Sequence, residues 1–451
     1  MLTSREYREL TVVSANDPIA TAARLTQSGI CRDYMLYERN GTVALACGAA
    51  GEITATRSQV RVRWGGEERL HPVGDIIETV SRVLHEAPFP SWRAYGWTAF
   101  ELAYATAGWS EAVGDERLLH LVIPETEVVI SAEQTVVRSL DDDHLLLMAA
   151  LVSEQEHGAA PAHGGPATLD VASSGEEGYR RAVRSAIEEF RGGRLQKVIL
   201  SRLVPVDFGV DLAGTYVEGR RRNNPARSFL FDLDGFRAVG FSPETVVEVE
   251  PDGHVVTQPL AGTRALTDVP AENARLRADL LSDAKEIYEH CISVKVAYDE
   301  LSILCEPGSV AVGEFMAVKE RGTVQHLGST VTGRLAPGHT PWDAFRTVFP
   351  AITASGIPKT AAYECIHRLE TEPRGLYGGA VLTLSSAGDL DAALVLRTAF
   401  QQGDRTWLRA GAGIVQQSTP EREFEETCEK LRSVATHLVP AAAHDTAPAT
   451  L

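Results

Sequence analysis

Ala284-Lys285-Glu286-Ile287-Tyr288-Glu289-His290 lies in the middle of a long helical pattern, and the rest of the chain is interpreted around it. From Ala271 to Leu301 there is no Gly or Pro, and apolar residues recur every three or four positions. This period predicts one packed helix. Glu286 and Glu289 are three residues apart, so their carboxylates share one face. Two like charges this close repel each other unless a positive group lies beside or between them.

A second helical pattern near the C-terminus repeats this carboxylate pair. Thr419 is a suitable N-cap, Pro420 suits the first helical position, and Glu423 and Glu426 are again three residues apart. Each pair taken alone could be a solvated acidic face. Two helices that both carry a pair could instead build an all-oxygen cation site. Neither of these two helices carries a His at the Glu-x-x-His spacing of di-iron bundles, and oxygen ligands favour Mg²⁺.

The bulk composition indicates a large globular enzyme. A chain of 451 residues with 44% hydrophobic residues predicts either two domains or one large two-lobed α/β domain. The formal net charge of −18 argues against nucleic acid or an anionic membrane as a partner. If the substrate is an anion, local Lys and Arg side chains must overcome that field.

The cellular setting is predicted from the N-terminus and the cysteines. The first ten residues lack the apolar segment of a secretion signal, and no apolar run is long enough to span a bilayer. Six cysteines are scattered without a C-x-x-C motif, which is typical of reduced core thiols. We therefore expect a cytoplasmic protein.

The first part of the chain carries strand and turn patterns but no recognisable chemistry. Asn40-Gly41 is a strong hairpin signal, and Ile76 to Leu84 is typical of an amphipathic helix. We interpret residues 1–170 as an N-terminal framework that completes the sheets. Residues 154–175 are rich in Ala, Gly, Pro, Ser and His and form the best linker candidate. Residues 441–451 have the same character and are expected to be a disordered tail.

Lys197 interrupts an otherwise apolar β pattern from Leu195 to Val204. Burial penalises an ammonium group, so the lysine lies at an edge, forms a salt bridge, or is a neutral amine that can accept a proton. Ser242-Pro243-Glu244 is predicted to be a turn at a strand end that projects a carboxylate. Ala261 to Arg264 is predicted to be a glycine-bearing loop that could offer backbone N–H groups to an anion.

Further candidates follow closer to the C-terminus. His326 could be catalytic, although a lone His near a strand is more often packed and hydrogen-bonded. Asp391 to Phe400 is predicted to be one strand that contains Arg397. Arg409 leads into a segment with Gly411 and Gly413, and small glycines near an Arg and a Tyr suit the recognition of a carboxylate.

The order of these motifs resembles that of the chorismate-utilising enzymes, which include anthranilate, aminodeoxychorismate, isochorismate and salicylate synthases. The resemblance is strong over residues 176–439 and weaker before them. It is carried by Gln196–Arg202, Ser242–Glu244, Pro259–Arg264, Lys285–His290, Thr353–Lys359, Gly411–Gly413 and Glu423–Lys430. The salicylate synthases of mycobactin-type siderophore pathways are the most similar branch, because Val324–Thr330 and Phe349–Lys359 match them nearly letter for letter.

The resemblance implies a fold and a substrate. It implies a mixed α/β (α+β) fold of the anthranilate synthase component I type. This is one large two-lobed domain with antiparallel sheets and the active site in the cleft between them. Residues 176–439 would be the chorismate-binding catalytic portion, and the 154–175 segment would be an internal loop. We expect a monomer that binds chorismate and no nucleic acid or membrane.

The resemblance also assigns roles to individual residues. Mg²⁺ would be held by Glu289 and Glu426, with Glu286 and Glu423 helping through water. Lys197 would be the general base and Glu244 the general acid. The implied substrate-binding residues are Gly262, Thr263, His326, Thr353, Tyr377, Arg397, Gly411, Gly413 and Lys430.

Two positions separate the branches of the family. Ammonia-using anthranilate synthases lack the lysine found here at Lys197, so its presence suggests that water is the nucleophile. Aminodeoxychorismate synthases with a lysine nucleophile carry Lys where this chain has Ala261, and no glutaminase is attached. We therefore expect a salicylate synthase, with an isochorismate synthase as the alternative. An anthranilate synthase-like enzyme and a non-catalytic chorismate binder are less well supported.

Overall fold

The computed structural model describes residues 6–13, 17–154 and 166–442. The predicted tail at 441–451 therefore lies almost wholly outside the described residues, as does the middle of the 154–175 segment. The helices, in chain order, are α1 (Pro18–Gln27), α2 (Ile76–His85), α3 (Leu102–Thr106), α4 (Asp142–Ser153), α5 (Glu176–Phe190), α6 (Leu212–Arg222), α7 (Pro270–Ser282), α8 (Ala284–Leu304), α9 (Pro341–Val348), α10 (Lys359–Leu369) and α11 (Pro420–Ala435), with a short 3-10 helix at Ser110–Ala112.

The strands, in chain order, are β1 (Arg8–Val13), β2 (Tyr34–Arg39), β3 (Thr42–Cys47), β4 (Gly51–Ala55), β5 (Gln59–Trp64), β6 (Glu67–Pro72), β7 (Arg93–Thr98), β8 (Leu119–Ile123), β9 (Thr126–Ile130), β10 (Gln134–Ser139), β11 (Lys197–Val206), β12 (Val210–Asp211), β13 (Arg227–Leu233), β14 (Phe236–Ser242), β15 (Thr245–Val249), β16 (His254–Thr257), β17 (Leu260–Ala265), β18 (Ala311–Val312), β19 (Ala317–Arg321), β20 (Val324–Gly328), β21 (Val331–Arg334), β22 (Gly356–Ile357), β23 (Ala380–Ser385), β24 (Leu390–Leu394), β25 (Thr398–Gln402), β26 (Arg405–Ile414) and β27 (Val439–Pro440).

Two large antiparallel sheets form the framework. The first sheet has the order β1-β10-β9-β3-β2-β13-β14-β25-β26-β11-β22, and the second has the order β18-β21-β16-β15-β24-β23-β7-β8-β4-β5-β6. A small third sheet, β17-β20-β19, lies apart from both, and β12 pairs with β27. Strands β1–β10 build one end of each large sheet, and the later strands build the other end. The predicted fold class is confirmed.

The two large sheets pack against each other through aromatic and aliphatic side chains. Tyr37 and Phe231 of the first sheet belong to the same buried cluster as Tyr95 and Trp97 of the second. The opposite face of the first sheet is covered by α1, α4, α5, α6, α10 and α11, and that of the second by α2 and α9. Strands buried on both faces read as continuous apolar runs, because alternate side chains enter different cores.

A buried ionic network joins the sheets within this apolar contact. Asp391 of β24 accepts a hydrogen bond from the Tyr37 hydroxyl at 2.5 Å. It also pairs with Arg227 of β13, whose Nη2 lies 2.6 Å from Oδ2. At the other end, Glu127 of β9 binds the Tyr95 hydroxyl and the Arg138 guanidinium. Each carboxylate has hydrogen-bonding and cationic partners on the opposite sheet, which offset the cost of burying it.

The predicted helix from Ala271 to Leu301 is interrupted. Its two parts are α7 and α8, which meet at Asp283. The Asp283 carboxylate accepts hydrogen bonds from the backbone N–H groups of Lys285 and Glu286, so it caps a new helix. The prediction of one helix was wrong because the spacing of apolar residues does not reveal this cap. Glu286 consequently lies in the first turn of α8.

Other sequence predictions have mixed outcomes. The Asn40-Gly41 hairpin is confirmed as the turn between β2 and β3, and the amphipathic helix is confirmed as α2. The expectation that all cysteines are reduced is wrong, because Cys31 and Cys47 form a disulfide. Their side chains meet because the end of β3 passes the turn after α1, a proximity that sequence spacing does not indicate. Among the described residues, no helix combines the length and apolar character needed to cross a bilayer.

Removal of the Asp391 carboxylate should destabilise the fold. Asp391→Ala leaves the buried Arg227 guanidinium without its main partner, so we expect the free energy of unfolding to fall by about 3–5 kcal/mol. Urea denaturation followed by circular dichroism measures this. Asp299→Ala is the control, because it removes an exposed helical pair with Lys295 and should leave the midpoint nearly unchanged. Equal midpoints for the two variants would contradict a structural role for the network.

Candidate active site

Two connections that cross between the large sheets place a carboxyl group and a guanidinium group side by side. One connects β14 to β15 and carries Glu244, and the other connects β24 to β25 and carries Arg397. They are hydrogen-bonded to each other, since the Leu394 N–H donates to the Glu244 carbonyl at 3.0 Å and the Phe241 N–H donates to the Arg397 carbonyl at 3.1 Å. The predicted single strand from Asp391 to Phe400 was wrong, because the chain changes sheets within it.

The cavity beside these crossovers collects most of the predicted site residues. Contributions come from β11, β17, β20, β26, α8, α11 and the loops before β22 and β23. The predicted residues that line it are Lys197, Glu244, Gly262, Thr263, Glu289, His326, Thr353, Tyr377, Arg397, Gly411, Gly413, Glu426 and Lys430. Glu286 and Glu423 do not line the cavity but lie in the same carboxylate cluster.

Lys197 is the first residue of β11 and is fully buried. β11 pairs with β26 on one side and β22 on the other, so the edge-strand alternative does not hold. The Lys197 Nζ lies 2.9 Å from Glu289 Oε1 and donates to Ser293 Oγ at 3.1 Å. The salt-bridge alternative therefore describes the structure as it stands.

Gly413 and Gly411 lie on β26 and not in a loop, because β26 continues to Ile414. A Cβ at Gly413 would lie 2.3 Å from Glu289 Oε1, and one at Gly411 would lie 2.9 Å from the Tyr377 hydroxyl. The glycines thus leave space for functional side chains to approach the strand.

Gly262 lies in β17, so the predicted glycine-bearing loop is a strand with a bulge. Its φ of +87° coincides with the register shift between Ala261 and Thr263. The bulge turns the Thr263 N–H toward Glu286, whose Oε2 accepts it at 3.0 Å. The sequence correctly indicated a backbone donor for an anion here, and the anion is the protein's own carboxylate.

The four predicted metal-side glutamates are all buried, with exposures of at most 7%. Each has a cationic neighbour: Lys197 for Glu289, Lys430 for Glu426 at 2.8 Å, Arg264 for Glu286 at 3.0 Å, and Lys285 for Glu423 at 3.1 Å. Lys285 also lies 3.5 Å from Glu286, so it bridges α8 and α11. Sequence reasoning missed Lys285 and Arg264 as partners, although both stand inside the quoted motifs.

Burial and repulsion between neighbouring carboxylates oppose the ionisation of part of this cluster. Burial, together with Glu426, raises the pKa of Glu423 to about 7, and burial also raises the pKa of Glu286. Burial opposes ionisation of Glu426 as well, but Lys430 and Lys285 outweigh it and lower its pKa to about 2. Among the described residues, Glu423 Oε2 has no hydrogen-bond partner. An orphaned carboxylate oxygen among mutually repelling carboxylates fits a divalent cation.

The same carboxylates engage the protein's own cations in this structure. Across the described ranges, no three His, Cys, Asp or Glu side chains converge on a common metal-binding point. The carboxylate oxygens are of the type that Mg²⁺ prefers, but in this structure they form ion pairs with lysine and arginine side chains. His290 is separate from the cluster, since its Nε2 faces Ser329 Oγ at 2.7 Å.

Glu244 is a buried carboxyl group that lines the cavity. Burial raises its pKa to about 8, although a hydrogen bond from Thr353 and the charge of Lys197 act in the opposite direction. The Thr353 hydroxyl lies 2.5 Å from Glu244 Oε1 and fixes the position of the group. At neutral pH the carboxyl is mostly protonated, so it can donate a proton into the cavity.

His326 is neutral and positions Arg397. Burial and the charge of Arg397 hold the pKa of His326 well below its usual range. Its Nε2 faces Arg397 Nη2, which can only donate, so Nε2 accepts. Its Nδ1 therefore carries the proton, within 3.3 Å of the Gly262 carbonyl and 3.1 Å of Thr263 Oγ1. The packed, hydrogen-bonded interpretation of this histidine describes it well.

Arg397 is a buried guanidinium that suits an anionic ligand. Burial lowers its pKa to about 9, and its Nη1 donates to the Arg321 carbonyl at 2.9 Å. Among the described residues, no carboxylate forms an ion pair with it. A buried guanidinium without a carboxylate partner is stabilised when the carboxylate of a ligand binds to it.

Two arginines contact the ring of Tyr377. The guanidinium carbons of Arg374 and Arg409 both lie 5.8 Å from the centre of its ring. Glu370 pairs with both arginines at 2.6 Å. The network therefore fixes the tyrosine beside Gly411. Its members stand far apart in sequence, and only the Glu370–Arg374 spacing could have suggested a pair.

The sequence of this chain is similar to those of known enzymes. A family model described as chorismate binding enzyme matches residues 31–436. The chain belongs to this family. It is 43% identical to a salicylate synthase from Mycolicibacterium paratuberculosis over 432 residues, which cover 94% of each chain. It is 36% identical to anthranilate synthase component 1 from Haloferax volcanii, over 80% of this chain and 75% of that one.

Solved structures of family members share the fold. Anthranilate synthase component I from Streptococcus pneumoniae superposes with a TM-score of 0.73 at 27% identity, covering 87% of this chain and 92% of that one. The menaquinone-specific isochorismate synthase from Escherichia coli gives a TM-score of 0.72 at 22% identity, with 96% and 94% coverage, and bears on the fold alone. The protein is therefore a chorismate-utilising enzyme, and chorismate is its substrate.

A side chain at Gly413 should disable the site. In Gly413→Ala the new Cβ would overlap Glu289 Oε1 and displace it from Lys197. A displacement of about 1 Å in an active site costs about a hundredfold in rate. Chorismate consumption, followed by its absorbance, measures the effect. Gly178→Ala is the control, because no heavy atom lies within 4 Å of a Cβ in that helix position. Wild-type turnover by Gly413→Ala would contradict the close approach of Glu289 to β26.

Proposed function

We propose that this enzyme is a salicylate synthase, which converts chorismate through bound isochorismate to salicylate and pyruvate. The observation that carries the chemistry is that Glu244, whose pKa is raised to about 8 by burial, faces the same cavity as Lys197. The relative at 43% identity, which is named a salicylate synthase, supports the choice of product. The proposed use of salicylate in siderophore biosynthesis rests on the resemblance of Val324–Thr330 and Phe349–Lys359 to that branch.

Chorismate would be held at both of its carboxylates. Arg397, which lacks a protein carboxylate partner, and the Tyr377 hydroxyl would bind the carboxylate of the enolpyruvyl arm beside the Gly411 backbone. Glu289 and Glu426, with Glu286 and Glu423, would hold Mg²⁺ near the ring carboxylate. Mg²⁺ supplies the positive charge that this carboxylate needs beside an acidic cluster. Lys430, Gly262, Gly413 and Thr263 would complete the walls, with His326 and Thr353 shaping the cavity.

In the first step, a water molecule would add at C2 of the chorismate ring and the hydroxyl at C4 would leave. Lys197 would remove a proton from water as its oxygen bonds to C2 of the ring, the double bonds shift, and the C4–O bond breaks. Glu244 would protonate the departing C4 hydroxyl, so that water leaves and isochorismate forms. Glu289, which forms an ion pair with Lys197 in this structure, would turn to another cation in this step so that the Lys197 amine faces the water.

The second step would need no additional base. Hydrogen moves from C2 to the methylene carbon of the enolpyruvyl arm while the C–O bond to the ring breaks. Pyruvate leaves, and the ring becomes salicylate. The residues that hold the arm, above all Arg397 with its partner His326, would keep it folded over the ring, which lowers the entropic part of the barrier.

The proposal also covers the oligomeric state, the location and the two portions of the enzyme. We propose a monomer in the cytoplasm, with residues 1–170 as a framework portion and 176–439 as the catalytic portion. The disulfide between Cys31 and Cys47 weighs against the cytoplasmic placement, because such bonds are rare in reducing compartments.

Purified enzyme with chorismate and Mg²⁺ should release salicylate and an equal amount of pyruvate. Salicylate is detected by its fluorescence and pyruvate through lactate dehydrogenase. Excess EDTA should abolish turnover, because the substrate's ring carboxylate would then face uncompensated glutamates. Isochorismate that accumulates without pyruvate would identify the enzyme as an isochorismate synthase instead. Full activity in EDTA would contradict the metal assignment.

The rate should depend on a proton at Glu244. With a pKa of about 8, this carboxyl is protonated below pH 8 and loses its proton as the pH rises through that value. We therefore expect kcat/KM for chorismate to fall above pH 8. In Glu244→Gln the basic limb should disappear, and kcat should drop about 10²–10⁴-fold because the amide is no acid. A basic limb that persists in this variant would assign it to another group.

Lys197→Ala tests the partner of this acid and controls for general damage to the cavity. It should lose water addition to chorismate yet still release pyruvate from supplied isochorismate, because the second step needs no base. Normal formation of isochorismate by Lys197→Ala would contradict its role.

A further inference from the structure

A second cleft lies beside the active-site cavity and shares Leu260 with it. We call it the outer cleft. Its polar lining includes Asn40, Gln258 and Thr330, and its charged lining is formed by Glu38, Arg220, Arg227, Glu314, Lys319 and Arg321. Four cationic side chains therefore face two carboxylates, on a protein whose formal net charge is −18. The outer cleft is a locally positive region of an acidic molecule.

Three of the four cations in the outer cleft are occupied by carboxylates. The pairs are Arg220 with Glu38 at 2.8 Å, Arg227 with Asp391 at 2.6 Å, and Lys319 with Glu314 at 2.5 Å. Arg321 differs from them, because no carboxylate of the described residues lies within ion-pair distance of it. Its Nε reaches the Pro243 carbonyl at 3.4 Å and its Nη1 the Glu320 carbonyl at 3.2 Å. Burial lowers the pKa of this guanidinium without a compensating carboxylate.

Arg321 stands at the wall between the outer cleft and the cavity. Its carbonyl accepts a hydrogen bond from Arg397 Nη1 at 2.9 Å, and its guanidinium contacts Pro243, the residue before Glu244. Two guanidinium groups without carboxylate partners are therefore neighbours, one in the outer cleft and one in the cavity. Burial is the largest cause of the lowered pKa of Arg397, and the positive charge of Arg321 is the second. An anion passing Leu260 would move from the first guanidinium to the second.

We propose that the outer cleft is the entrance for the substrate and that Arg321 draws the carboxylates of chorismate to it. The net charge of the protein repels a dianion, so productive encounters need a region where the local potential is reversed. A concave surface with one uncompensated guanidinium concentrates the field in this way and raises the rate of association. The inference rests on chorismate as the substrate and not on which product is released.

Arg321→Gln tests the role of this guanidinium. Its backbone carbonyl, which binds Arg397, is retained. We expect kcat/KM for chorismate to fall about tenfold at low ionic strength, mainly through KM, while kcat stays within about twofold. The fall of kcat/KM with added salt should also become shallower than in the wild type. Arg321→Lys keeps the charge and should retain most of kcat/KM. All rates are measured as chorismate consumption, so the outcome is independent of the product assay.

Arg334→Gln is the matched control, because it makes the same change in net charge at an exposed pair with Asp252, outside the outer cleft. It should behave as the wild type. Gln258→Glu adds a carboxylate to the outer cleft with Arg321 in place and should also lower kcat/KM with kcat preserved. This second variant decides the question if Arg321→Gln fails to fold. Unchanged kcat/KM in the Arg321→Gln or Gln258→Glu enzyme, or a loss confined to kcat, would overturn the proposal.

Discussion

The ion pair between Lys197 and Glu289 shows the constraint on which the active site depends. Four carboxylates and several cations are buried together, and each must find its partner at a set position because water cannot solvate it. The partners come from distant parts of the chain: Lys197 from β11, Lys285 from α8 and Lys430 from α11. Neutralisation of these charges therefore requires the first sheet, α8 and α11 to meet in one arrangement.

This arrangement also explains how the cavity can bind anions although the protein is acidic. The glutamates engage cations on the α8 and α11 side, whereas Arg397 on the sheet-crossing side has no carboxylate partner among the described residues. The cavity is thus divided into a carboxylate-rich wall and a guanidinium-bearing wall. A substrate with two carboxylates fits this division if a divalent cation covers the first wall. Glu244 is buried, and burial raises its pKa to about 8 although the charges of Lys197 and Lys430 act in the opposite direction.

The sheet crossovers give the acid and the arginine their positions. Strands in the two large sheets are held by inter-sheet networks around Asp391 and Glu127, so the crossovers between them have little freedom. Hydrogen bonds between the two crossovers then place Glu244 and Arg397 together. Packing in the sheets, far from any reacting atom, is in this way coupled to the geometry of catalysis.

Local patterns predicted the helices that carry the carboxylate pairs, because a period of three to four residues and an N-cap are visible in neighbouring residues. Thr419 and Pro420 begin α11 as expected, and Glu423 and Glu426 share its buried side. The break between α7 and α8 was missed, since the Asp283 cap competes with an apolar pattern that continues through it. The bulge at Gly262 was taken for a loop, because the glycine there serves a close contact instead of a turn.

The sequence by itself determined the residue types available for chemistry, the family resemblance and the class of fold. These follow from local periodicity and from motifs whose order along the chain is directly readable. Only the tertiary structure decided which charges meet: that Glu289 faces Lys197, that Lys285 bridges two helices, that Arg397 is left without a carboxylate and that Cys31 joins Cys47. The physical reason is that ion pairing, burial and side-chain access depend on distances between residues far apart in the chain, which local sequence patterns do not encode.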